Sequence, residues 1–176
     1  MNKPQGYVCS YVSDSHKTVY ELLPQEFRDL MNQVRGNKLH TVGRLDCETS
    51  GLLILTNDGY FSNALTRPQS LIKKTYRAKL KIAVSPDLQN DYIDRFAKGL
   101  TLPPEKKTPE QLASPSQLVF LSNNECLVTV HEGKFHQVRR MFLAVDNEVV
   151  FLERIKIGCL NLPQGLPQGK FFYFYT

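Results

Sequence analysis

Residues 74–82 alternate strictly: Thr75, Arg77, Lys79 and Lys81 fall on one face and Tyr76, Ala78, Leu80 and Ile82 on the other. That period of two marks a strand with one wet and one covered face, so the chain must build a sheet and something to cover it. Ser85-Pro86-Asp87 follows at once, a capping serine with proline at the first helical position and an acid in the first turn, which predicts a helix running to Lys98 and stopping at Gly99. Further strands are predicted over 6–12, 39–42 and 148–155 and at the C-terminus. The continuous apolar run 52–55 reads as a buried central strand. Segments 117–121 and 125–131 pair as a hairpin across Ser122-Asn123-Asn124. Short helices are predicted over 18–23, stopped by Pro24, over 60–66, and over 135–145. Residues 101–115, rich in proline, lysine and glutamate, read as an exposed connection. Strands interspersed with a few helices, without regular βαβ alternation, predict an α+β fold with a mixed, mainly antiparallel central sheet flanked by helices.

The 176 residues suffice for one domain, 1–176, with a core of its own. Cys9, Cys47, Cys126 and Cys159 are scattered without a C-x-x-C pair, which points away from a zinc site or a disulfide framework and towards a reducing cytosol. Asn2-Lys3-Pro4-Gln5-Gly6 provides no apolar signal core after Met1, and the longest apolar runs are too short to span a membrane. There is no G-x-G-x-x-G and no Walker sequence. A net charge of +5 and an isoelectric point near 9.0 favour a polyanionic partner. The cations gather in two segments, Lys73, Lys74, Arg77, Lys79 and Lys81, then Lys134, His136, Arg139 and Arg140, as a binding face would.

Two constellations carry chemistry. Asp46 sits in a polar loop bracketed by Gly43 and Gly51, between short apolar segments, and is thereby presented at the edge of a core. On a helix over 135–145, Phe135, Val138, Phe142 and Val145 form the core stripe. At about 100° per residue Arg139 lands at the edge of that stripe and Arg140 well outside it. A permanently charged arginine at a core edge calls for a carboxylate, and Asp46 is the expected partner. His131-Glu132 and His136 approximate H-E-x-x-H, but the second histidine comes one residue too late for two rings to share a helix face. No metal is expected.

Taken together, Gly43-Arg44-Leu45-Asp46 with Thr49-Ser50-Gly51-Leu52, Lys74-Thr75-Tyr76, and Glu132-Gly133-Lys134-Phe135-His136-Gln137-Val138-Arg139-Arg140-Met141 resemble the pseudouridine synthases of the RsuA type. The opening Asn2-Lys3-Pro4-Gln5-Gly6-Tyr7-Val8-Cys9-Ser10 resembles the first strand of that family's catalytic domain, most closely in members that modify 16S ribosomal RNA. The resemblance implies that Asp46 is the essential catalytic aspartate, Tyr76 the active-site tyrosine and Arg139 the cation that pairs with the aspartate. Val128 or Val130 would line the uracil pocket. Arg44, Lys73, Lys74, Arg77, Lys79, Lys81, Lys134, His136, Gln137 and Arg140 become candidates for contacts to rRNA, with 16S rRNA or an assembling small subunit as the expected partner and a monomer as the expected state. The reaction needs no cofactor. A 23S rRNA uridine is the alternative substrate, and a non-catalytic assembly factor the alternative class. Many relatives carry an N-terminal S4-type RNA-binding module, whereas this chain begins at the catalytic-domain strand, which predicts weaker RNA binding.

Overall fold

The computed structural model describes residues 1–31 and 38–174. The fold is α+β, and contacts gather in two compact units, Met1–Ile72 with Cys159–Thr176, and Lys73–Gly158. In chain order the first unit carries β1 (Asn2–Lys3), β2 (Tyr7–Val8), β3 (Lys17–Thr18), a 3₁₀ turn (Val19–Leu22), α1 (Gln25–Asp29), β4 (His40–Thr41), β5 (Thr49–Leu52), β6 (Leu55–Thr56) and α2 (Gly59–Thr66). β1 pairs antiparallel with β5, β4 antiparallel with β6, and β2 parallel with β3.

Three local expectations change here. Leu52, Leu53 and Ile54 of the apolar run 52–55 are buried as expected and Leu55 is half-buried, yet the run is shared between β5 and β6, because the chain changes partners midway: Leu53 N donates to Met1 O (2.9 Å), and Ile54 O accepts from Val42 N (2.8 Å). The strand expected over 6–12 shrinks to β2, and Pro24 opens α1 as well as closing the turn before it. No strand forms over the C-terminal aromatics 171–174; Phe171 and Tyr173 instead set their rings against Phe27, at 5.8 and 5.9 Å. Asp58 caps α2 by accepting from Tyr60 N and Phe61 N, so the Asn57-Asp58-Gly59 turn doubles as a helix start.

The second unit runs β7 (Lys74–Leu80), α3 (Pro86–Lys98), β8 (Leu100–Leu102), β9 (Gln111–Ala113), β10 (Gln117–Ser122), β11 (Glu125–Val130), α4 (Gln137–Leu143) and β12 (Val149–Ile157). Four strands pair antiparallel in the order β12-β7-β11-β10. The register sets residues in rows across the covered face: Leu118, Val128, Tyr76 and Arg154 in one, Phe120, Cys126, Ala78 and Leu152 in the next. Phe96 of α3 and Val138, Met141 and Phe142 of α4 complete the core on that face, with the Phe96 and Phe142 rings 5.0 Å apart. α3 has the predicted bounds, and the β10–β11 hairpin turns at Asn123-Asn124, whose carbonyls accept from Val84 N and Leu80 N.

Residues 101–115 are not a loose connection. β8 and β9 pair antiparallel, Leu102 and Ala113 are buried, and the loop between them closes around the side chain of Arg140. That guanidinium is wholly buried: Nε donates to Pro103 O (2.8 Å), Nη1 to Gln111 Oε1 and Phe135 O (both 3.2 Å), and Nη2 to Pro109 O (2.8 Å) and Leu102 O (3.5 Å). The helical wheel placed Arg140 in solvent because it treats a charged side chain as wet. Here α4 is buried on two sides, and oxygens face all five donors of the guanidinium.

Gly99, which ends α3, sits at φ 91°, and a Cβ built on it would lie 2.6 Å from Ala113 O. Both strain and collision oppose a side chain there. Gly99→Ala is expected to cost about 2 kcal/mol or more in urea unfolding, by displacing β9 from the end of the helix.

Candidate active site

Asp46 belongs to the first unit, and its loop is held by its backbone. Asp46 O accepts from Thr49 N (3.1 Å), closing a turn, and Cys47 O accepts from Gly6 N (2.9 Å). The Cys9 thiol meets both Leu45 N and Leu45 O at 3.4 Å, and Gln5 Nε2 donates to Glu48 O (2.9 Å). Beneath the turn lies Lys3, fully buried, with its ammonium among Thr49 O (2.8 Å), Pro4 O (3.0 Å), Asp46 O (3.1 Å) and Cys47 O (3.3 Å). Burial pulls the Lys3 pKa below the usual lysine value, and the negative groups around it, Asp46 and Glu48 among them, oppose that shift. Leu45 is buried and Arg44 exposed, so the loop anchors one side chain, leaves its neighbour in water and holds Asp46 half-buried between the two conditions.

Tyr76, Val128, Val130 and Arg139 belong to the second unit. Tyr76 packs against the core, and its direct partner across the ladder is Val128; Val130 stands opposite Lys74, one row along. Both valines are buried on the tyrosine's face. Arg154, the partner of Tyr76 on β12, is also buried on that face, at a register shift where β12 bulges between Arg154 and Lys156. Burial and the nearby Arg154 charge lower the pKa of half-buried Lys74. Arg139 is half-buried on α4, and its Nη1 donates to Val149 O (2.9 Å), which sets the direction of the side chain.

Two of the expected RNA contacts are withdrawn. Arg140 is enclosed as described above. Gln137 is buried, its Nε2 donating to Glu132 Oε1 (2.7 Å) and its Oε1 accepting from Lys134 N (3.0 Å), because the amide closes the loop that opens α4. Lys134 and His136 are half-buried and carry carboxylate partners, Glu132 and Glu105. On the opposite face of β7 from Tyr76, Arg77 pairs with Glu125 and Lys79 lies 5.9 Å from the Phe151 ring; just past the strand's end Lys81 pairs with Glu148. Arg44 and Lys73 are exposed.

Lys3 and Arg154 escaped the sequence reading. Arg154 had left a trace, since it falls on the same phase of β12 as buried Leu152. Lys3 had left none, being a lysine in a polar pentapeptide.

The RNA pseudouridylate synthase family model matches residues 1–144, and the chain belongs to that family. It is 39% identical to ribosomal small subunit pseudouridine synthase A of Vibrio cholerae serotype O1, over 98% of this chain and 68% of that protein. The protein of the same name from Escherichia coli strain K12 is 39% identical over 97% of this chain and 67% of its own length. A crystal structure of a pseudouridylate synthase superposes with a TM-score of 0.82 at 37% identity, covering 97% of this chain and 66% of that one. The chain thus spans about two thirds of the length of these relatives.

Two predictions follow from the geometry. Lys3→Met leaves buried carbonyls without a donor at about 1–3 kcal/mol each, so a loss of about 3 kcal/mol or more is expected in urea unfolding. Glu132 accepts from Ser114 N (2.9 Å), Ser114 Oγ (3.1 Å), Gln137 and Lys134. Burial pushes its pKa up, but these partners outweigh burial and hold it below the ordinary 4.5. A depressed carboxyl contributes stability that is present above its unfolded value and lost as pH falls through the folded one. Acid unfolding of Glu132→Gln is therefore expected to be less steep below pH 4.5 than that of the wild type.

Proposed function

We propose that the chain isomerises a uridine of 16S rRNA to pseudouridine in the cytoplasm, with Asp46 as the essential carboxylate. The observation that carries this reading is the 39% identity, over 98% of the chain, to a protein named for the small ribosomal subunit. In the reaction the C1′–N1 bond breaks, the base turns, C5 bonds to C1′, the C5 proton leaves and N1 takes up a proton, so that nothing is added or removed overall. Asp46 serves either as nucleophile or as the anion that stabilises positive charge at the anomeric carbon, the two roles carboxylates play in glycosidases.

Tyr76 offers a ring to the displaced base, with Val128 beside it in the ladder. A uridine in folded RNA must be turned out of its stack at a cost of a few kcal/mol, which contacts of this kind offset. Arg139 is the cation that the family resemblance pairs with Asp46. The exposed Arg44 and Lys73, with Lys74 on the tyrosine's face, supply phosphate contacts.

The test is tritium release from 16S and 23S transcripts labelled at uridine C5. The wild type is expected to release tritium from 16S RNA alone; release from 23S RNA alone would overturn the substrate. Asp46→Asn is expected to release none while binding 16S RNA within about twofold of the wild type, since phosphate contacts set affinity. Activity retained in that variant would remove Asp46 from the chemistry.

A further inference from the structure

The hairpin between β8 and β9 ends in a tight tip. Glu105 N donates to Thr108 O and Thr108 N to Glu105 O, both at 2.9 Å, which leaves Lys106 and Lys107 alone at the turn, both exposed. Lys106 adopts φ 53°, a left-handed conformation that glycine takes without steric cost and lysine does not.

The arms of this hairpin are tied down from below. Arg140 donates to Leu102 and Pro103 on the incoming arm and to Pro109 and Gln111 on the outgoing one. Glu105 is bound in turn by His136 Nδ1 at 2.8 Å, which directs its carboxylate to the imidazole. His136 stacks on Phe135 at 3.9 Å. Glu110, exposed on the outgoing arm, is the remaining acid between Glu105 and Gln111. A strained turn held by so many bonds fixes the backbone from which the two lysines project, and Arg140, which holds it, is the chain neighbour of Arg139.

We infer that Lys106 and Lys107 form a rigid basic finger that grips phosphates of the RNA substrate. The inference rests on the rRNA reading above. Lysines on a held backbone lose less freedom on binding than lysines on a mobile loop, and two adjacent positive charges match a phosphate backbone better than an apolar or cationic partner.

Filter binding of a 16S transcript across a series of KCl concentrations tests it, with tritium release measured on the same preparations. The double variant K106A/K107A is expected to flatten the slope of log affinity against log salt by about 1.4–1.8, two contacts at about 0.7–0.9 each, and to raise KM with kcat unchanged. K106G relieves the strained turn while removing one charge. It is expected to melt at or above the wild-type temperature and to lose about half as much slope. An unchanged slope in K106A/K107A overturns the finger, as does a fall in kcat at an unchanged slope. Wild-type protein that binds RNA but releases no tritium overturns the proposed function, and the finger is then decided by the binding slopes alone.

Discussion

The second unit depends on a buried cation, Arg140, solvated by oxygens of the chain itself. Moving a guanidinium out of water costs several kcal/mol, and an acid is the usual remedy. Arg140 is met by four backbone carbonyls and one side-chain amide oxygen. The consequence is topological. Carbonyls belong to the chain, so solvating the charge forces residues 102–111 to wrap around the side chain, and a stretch with little apolar content of its own acquires a shape.

The first unit uses the same device with a different cation. Four carbonyls surround the three-donor ammonium of Lys3, and three of them come from the turn that presents Asp46. Carbonyl ligands solvate a charge without neutralising it. One buried residue therefore positions the turn. That requirement explains why a lysine is buried at this point, where an apolar residue would fill the space but bond to none of the carbonyls.

Much of the architecture was legible because it rests on local rules. The alternation of 74–82, the capped helix that starts at Pro86 and the Asn123-Asn124 hairpin each answer to period, capping or turn chemistry, which act within a few residues. Three of the errors share one cause. Arg140, Gln137 and residues 101–115 were assigned to the surface because their composition is polar, whereas Arg140 and Gln137 are buried and residues 102–111 fold around Arg140, through hydrogen bonds between residues up to 38 positions apart. Periodicity counts apolar residues and has no means of recognising a polar side chain whose donors are all matched. In the candidate site, loop placement singled out Asp46 and strand phase put Tyr76 on the covered face, while the roles of Tyr76 and of Val128 or Val130 came only from the family resemblance. Lys3 was missed because its role exists only once the turn has folded over it.

The cations on β7 show how charge and face must be read together. Arg77, Lys79 and Lys81 made that segment look like a binding surface, yet Arg77 and Lys79 stand on the side of the strand away from Tyr76, Lys81 lies just past its end, and Arg77 and Lys81 already hold glutamates. A solvated ion pair contributes little to stability and must be broken before its lysine or arginine can serve a phosphate in full. Lys74, by contrast, shares the tyrosine's face and is half-buried, where burial first and the Arg154 charge second lower its pKa, and a phosphate would oppose both. An anion gains most where cations are already crowded and partly desolvated. On this strand that condition is met on the face that carries Tyr76, and the more numerous charges on the other face do not meet it.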